Sequence, residues 1–348
     1  MTNIMLAGMS GLIITLLGTP VAIRLFRRRG WGQLIREEGP RAHFEKRGTP
    51  TMGGLVILAG AFGGYLLGHI GLGGPSPFHD SGLLAMGTIM ALAALGFLDD
   101  IIKIRKARSL GLQSRAKFLG QLIIGLTFAV LAVQVVGIGT DLSFFRSTAV
   151  DLGLVFYLWV FVMMAASSNG VNLTDGLDGL AVGSAAQVLA AFVVIAFWQF
   201  RHQPFYDIAA TGSDPFDIAI VAAALFGACA GFLWWNTAPA KIFMGDTGSL
   251  MLGGAMAVFA ILLNTQLLLV IVGGLYVVET LSVITQVAVF KRTGRRIFLM
   301  APIHHHFELA GWPEFTVIVR FWVLSGLSVA FGIGLFYADF LSKGGNNL

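Results

Sequence analysis

Apolar residues in this chain come in long runs rather than in the one-faced or alternating patterns of a water-soluble fold. Ten runs approach the about 20 apolar residues a membrane-crossing helix needs. They lie near residues 3–24, 52–71, 82–98, 119–138, 149–167, 180–199, 216–235, 248–264, 267–289 and 317–339. The pattern predicts an all-α, polytopic integral membrane protein of about ten transmembrane helices. The third run is short and the ninth contains Glu279 and Gln286, so these two depart most from the plain pattern. No linker, shift of composition or repeat divides the chain, and 1–348 reads as a single transmembrane domain.

Composition agrees. Of the 348 residues 56% are hydrophobic and 12% charged, against roughly 25% charged in soluble globular chains, and the mean hydropathy is +0.80. The glycines have no collagen-like period; they fall inside apolar runs such as AGAFGGYLLG and IVGGLY, as in membrane helices that pack closely through small residues. Cys229, the one cysteine, lies within AAALFGACAGFLWW and reads as a small buried residue. In the first run, MTNIMLAGMSGLIITLLG, the arginines follow the apolar stretch and no small-residue cleavage site appears. It reads as a retained helix, not a signal peptide.

Charge then orients the spans. Of the 23 lysines and arginines, 19 fall in loops 24–50, 99–118, 236–247 and 290–316. The opposite side holds Arg146, Arg201 and the tail residue Lys343. The positive-inside rule puts the basic loops in the cytoplasm and both termini outside. The net charge of +5 is thus topology and attraction to anionic head groups, not a sign of nucleic-acid binding.

Polar clusters sort to the same cytoplasmic side. In GFLDDIIK, Lys103 follows Asp99 and Asp100 by one helical turn, close enough to pair with either. Adjacent carboxylates repel, and a Mg²⁺ ion, which takes one or two carboxylates plus substrate phosphates, fits such a pair. NGVNLTDGLDG places Asn169, Asn172, Asp175 and Asp178 three apart. Gly170, Gly176 and Gly179 predict a loop running into the next helix; the stretch is either an Asx-rich turn or the wall of a site. FMGDTGS, with Asp246, reads as a tight loop opening the eighth span, whose free N–H groups favour phosphate. Phe243 there is an interfacial residue or a platform for a base. PIHHHFE offers His304, His305 and His306 as donors to an anionic substrate or as a solvated loop; a zinc site would need a second ligand motif of the usual spacing, and none appears in the sequence. HFEKRGTPTMGG supplies Lys46, Arg47, Thr49 and Thr51 at the start of the second span, or simply starts and packs that helix. Lys117 adds a further cation on this face.

KRGTPTMGG, LDDIIK, NGVNLTDGLDGLA, FMGDTGS and PIHHHFE, in this order from about residue 46 to 308, resemble the phospho-N-acetylmuramoyl-pentapeptide transferase (MraY) family over essentially the whole chain. LDD and GD-x-GS look shared with the wider superfamily of polyprenyl-phosphate sugar-phosphate transferases, whereas TDGLDG with HHHFE is more particular to the muramoyl branch. The resemblance implies ten helices, a homodimer and residence in the bacterial cytoplasmic (inner) membrane. It also implies transfer of phospho-MurNAc-pentapeptide from UDP-MurNAc-pentapeptide to undecaprenyl phosphate. The products would be lipid I and UMP, in the first membrane step of peptidoglycan synthesis, with Mg²⁺ required. Asp99, Asp100, Asp175 and Asp246 would be the essential acids, with Asp246 the metal ligand. Lys46, Asn172, Asp178 and the three histidines would line the nucleotide-sugar site, joined by Thr51, Lys103, Lys117 and Phe243 as substrate contacts. A broken ninth helix would explain the polar Glu279.

Two other readings remain. A sister transferase using a UDP-N-acetylhexosamine donor would carry many of the same motifs. An ion-coupled transporter would also have broken helices and an intramembrane Glu, but its acids should gather near mid-membrane.

Overall fold

A computed structural model describes residues 1–32, 48–71, 74–106, 111–206 and 212–343. The candidate Lys46 lies outside the described residues. The architecture is helical, with α1 Thr2–Arg28, α2 Gly54–Ile70, α3 Asp80–Arg105 and α4 Ser114–Leu131, the last widening into a π-helical turn over Ala132–Val136. A short antiparallel hairpin follows, β1 Asp141–Ser143 with β2 Ser147–Asp151. Then come α5 Val155–Thr174, α6 Leu180–Arg201, α7 Gln203–Tyr206, α8 Pro215–Asn236 and α9 Gly245–Leu262. The chain ends with α10 Leu268–Val272, α11 Gly274–Thr293, α12 Ile303–Leu309 and α13 Glu314–Ser342.

Among the described residues nine helices are long and apolar enough to cross a membrane, and α2, apolar over 17 residues, is a shorter tenth. At 1.5 Å per residue α2 spans about 25 Å, a little less than the roughly 30 Å of a bilayer's hydrocarbon core. Peripheral helices leave apolar side chains uncovered, among them Leu17, Ile123, Leu281 and Leu327. Such residues on the outside, around a core that is also apolar, are what a hydrocarbon solvent requires. Helices α8 and α9 are the most deeply buried of the spans, and every residue from Thr247 to Leu262 is buried.

Small residues make the close contacts. Gly60 meets the Thr15 hydroxyl and Gly227 the Gly8 carbonyl, leaving no room for a Cβ between α1, α2 and α8. On the third face, Gly253 of α9 lies against the Ser167 carbonyl of α5.

Three predicted boundaries shift. The fifth span, expected from 149, starts at Val155, because 147–151 pairs as a strand and Asp151 accepts a hydrogen bond from Gly153 N–H (2.8 Å). The same helix runs on to Thr174, through Asn169, Gly170 and Asn172 that the glycines had suggested were loop. It continues because its polar groups are satisfied: Asn169 Nδ2 donates to Ala165 O (2.7 Å) and Thr174 Oγ1 to Gly170 O (2.8 Å). The ninth span is interrupted at Gly273, between α10 and α11, as the family resemblance implies.

Candidate active site

The C-terminal ends of α3 and α5 and the N-terminal ends of α4 and α9 meet at one end of the bundle. Asp99 and Asp100 close the last turns of α3, and Asp246 opens α9. Their carboxylate oxygens lie within 4.8 Å of one another. Gly96, one turn before Asp99, touches the Asp246 carbonyl, so a side chain there would push α9 away.

The three acids have different surroundings. Asp100 is buried and accepts hydrogen bonds from Asp246 N–H (3.1 Å), Thr247 N–H (2.9 Å) and Thr247 Oγ1 (2.7 Å). It therefore satisfies two free N–H groups of the first turn of α9, where a negative charge is favoured. Asp99, also buried, accepts from Leu112 N–H (2.8 Å) through Oδ1. Its Oδ2 has the Lys103 ammonium at 2.6 Å, yet no donor is aligned on it for a hydrogen bond among the described residues. Asp246 stands between two lysines, with Lys103 Nζ at 2.9 Å and Lys117 Nζ at 2.6 Å. Asn172 Nδ2 donates to its Oδ1 (3.0 Å) and also to Ser249 Oγ (2.8 Å).

Lys103 therefore sits among all three carboxylates, 3.8 Å from Asp100 as well. An ammonium at the focus of three carboxylates marks a cation position. The donor set is hard oxygen, as Mg²⁺ prefers, and Asp99 Oδ2 has lone pairs to offer. The residues fit a divalent ion, which Asp99, Asp100 and Asp246 would hold where the Lys103 ammonium now stands.

The remaining candidates frame this centre. A Cβ on Gly245 would stand 2.6 Å from Asp100 Oδ2 and 3.1 Å from Thr51 Oγ1, so Thr51 occupies the same corner. Phe243 donates its N–H to Pro50 O (2.7 Å) and accepts from Gly53 N–H (2.8 Å), which fastens the FMGD loop to the start of α2. Asp175 caps the end of α5. Burial, followed by the charges of Asp246, Asp100 and Asp178, pushes its pKa up to about 8 against the opposing pull of Lys103.

Other motif residues have partners outside the three-acid cluster. Asp178 is buried, its Oδ2 accepting from Ala240 N–H (2.8 Å), so it braces the loop ahead of α9. His305 Nδ1 lies 2.6 Å from Glu308 Oε2, and His306 Nδ1 accepts from Leu299 N–H (3.1 Å). His304 is fully enclosed beside Glu279. Three contributors carried no signal of their own in the sequence. Leu112 acts through its backbone, whereas Thr247 and Ser249 lie in FMGDTGS without any sign of whom they would face.

A centre of this kind, built into the end of an apolar bundle, defines a multi-pass membrane enzyme. Comparison with known proteins narrows the class. Residues 83–264 match the model of glycosyl transferase family 4, and residues 46–58 match phospho-N-acetylmuramoyl-pentapeptide-transferase signature 1. A phospho-N-acetylmuramoyl-pentapeptide-transferase of Frankia casuarinae is 56% identical, over 99% of this chain and 100% of its own. The proteins of that name from Saccharopolyspora erythraea and Streptomyces avermitilis are 53% and 50% identical, over 98% and 99% of both chains respectively. The chain belongs to the phospho-N-acetylmuramoyl-pentapeptide transferase family.

Proposed function

We propose that the chain transfers phospho-MurNAc-pentapeptide from UDP-MurNAc-pentapeptide to undecaprenyl phosphate in the cytoplasmic membrane, giving lipid I and UMP. The observation that carries this reading is the convergence of Asp99, Asp100 and Asp246 with Lys103 and Lys117 at one end of the bundle. A lipid-borne acceptor and a soluble, polyanionic donor can meet only at a membrane surface. The basic loops support a cytoplasmic position for that surface, with both termini outside. The homodimer implied by the family resemblance belongs to the same proposal.

A phosphate oxygen of the lipid attacks the phosphorus that carries the sugar; the bond from that phosphorus to the UMP oxygen breaks, and UMP leaves. A phosphate monoester has a second pKa of about 6, so the attacking oxygen is anionic near neutral pH and needs positioning more than activation. Asp99 orients the acceptor or takes its last proton. Lys103 and Lys117 neutralise the charge on the pyrophosphate. Mg²⁺ held by Asp246, with Asp99 beside it, would supply Lewis-acid stabilisation of the same charge. Asp100 keeps the start of α9, and hence Asp246, in place.

The test is UMP release by purified protein given undecaprenyl phosphate and each of two donors, UDP-MurNAc-pentapeptide and a UDP-N-acetylhexosamine. Release with the muramoyl donor alone supports the reading. Release only with the hexosamine donor assigns the chain to the sister activity.

A further inference from the structure

Glu279 and His304 are both fully enclosed, with Glu279 Oε1 3.1 Å from His304 Nδ1. Despite that distance their orientation is poor. Neither carboxylate oxygen of Glu279 and neither ring nitrogen of His304 has an aligned hydrogen-bond partner among the described residues. A buried acid–imidazole pair adds little stability compared with apolar side chains of the same volume, while removing one partner strands the other. Such a pair is better explained by where it holds a side chain than by the energy it contributes.

The far side of the ring shows what is held. A Cβ on Gly176 would stand 2.5 Å from His304 Nε2 and 3.0 Å from His305 Nε2. The two rings, with centroids 4.1 Å apart, therefore press on the turn that begins at Asp175. Glu279 stands against the opposite side of the ring, 3.1 Å from Nδ1, so the ring is confined by packing between the carboxylate and the turn. Helix α11 is itself anchored inward by Tyr276, whose hydroxyl donates to Ala181 O of α6 (3.0 Å). A continuous path thus runs from α11, through Glu279 and His304, to the turn carrying Asp175.

We propose that Glu279 is a positioning residue for the transfer reaction: it holds His304 against the Asp175–Gly176 turn and so fixes that wall of the donor site. His304, with no exposed surface, then acts on the donor through the turn and not by contact. The inference rests on the proposed donor, and the experiment separates the two. Wild-type protein that releases no UMP from UDP-MurNAc-pentapeptide defeats the functional reading and leaves the pair to be judged by donor binding alone.

Glu279→Gln, His304→Ala and the double variant are purified, checked for an unchanged melting midpoint, and assayed with donor and acceptor varied separately. Glu279→Gln should raise the KM for the donor about tenfold, leave the KM for undecaprenyl phosphate within twofold, and add nothing further in the His304→Ala background. Additive effects of the two substitutions, or equal changes in both KM values, overturn the proposal. Should Glu279→Gln fail to fold, the same cycle is read with Glu279→Asp, which keeps the carboxylate but draws it back from the ring. Gly176→Ala, which displaces the ring from the turn, should reproduce the donor-selective defect; an unaltered donor KM there also counts against the proposal.

Discussion

The aspartates of the site are unequal, and substitutions should reveal it. Asp246→Asn keeps the shape of the side chain and its place in α9 but removes the charge that faces both lysines and the proposed metal. Turnover should fall at least 100-fold, with the melting midpoint little changed and no recovery at high Mg²⁺. Thr247→Val removes only the hydroxyl that bonds Asp100. It should lower stability by about 1–2 kcal/mol, the usual cost of leaving a buried acceptor short of a donor, with a smaller loss of turnover. Asp175 gives a pH signature. Its pKa is about 8 in the folded chain and about 3.9 when unfolded. Between those values the folded state holds a proton that the unfolded state has released, so stability falls as pH rises through about 4 to 8. The slope from this group is at most about 1.4 kcal/mol per pH unit. Melting curves in chelator should show that decline weakened in Asp175→Asn.

At the scale of elements, the site depends on how near α9 comes to α3 and α5. Gly96 and Gly253 permit those approaches, and Asn172 of α5 can reach Asp246 only while the second holds. Gly253→Leu would force a side chain into the Ser167 carbonyl. Overpacking of this kind costs about 1–3 kcal/mol, and separating α5 from α9 also breaks the Asn172–Asp246 bond. The variant should lose activity out of proportion to its fall in melting temperature. Proportional losses would mean that the helix contact serves stability alone. Continuation of α5 through NGVN has the same basis: a helix places Asn172 on the face toward α9, where a loop would have left it to solvent.

Over the whole molecule, one end of an apolar bundle carries the acids and most of the basic loop residues. At the other end lie the hairpin of β1 and β2 and the buried pair of His69 with Asp217 (2.9 Å). The charge asymmetry predicts that a thiol reagent unable to cross the membrane labels Gly74→Cys in intact cells and reaches Lys106→Cys only after the membrane is opened. The reverse pattern would invert the topology and put the acidic centre on the outer surface, away from any cytoplasmic nucleotide sugar. The same polarity sets the chain apart from a transporter. Among the described residues Glu279 is the one acid within an apolar span away from both ends, and it is enclosed beside His304.

Spans and chemistry were legible in the chain because both are local. A membrane helix needs an apolar run of a certain length, and a polar group that interrupts such runs needs a reason. LDDIIK even disclosed the Lys103 contacts, since residues three and four apart share a helix face. What the sequence left open was the partner of each polar group. Asp100 and Asp178, adjacent to or within the same motifs as Asp99 and Asp175, turn out to secure backbone N–H groups of Thr247 and Ala240. His304 and Glu279, read respectively as a substrate donor and as the polar mark of a broken helix, are enclosed together. Those pairings join residues far apart in the chain, and the direction of a buried side chain is decided by which helix lies against it. Local pattern therefore determined that the chain spans a membrane and which segments carry its chemistry. Tertiary packing alone decided which of those acids and histidines meet at the acidic centre and which find partners elsewhere, because the helix packed against a buried polar group sets the partners open to it.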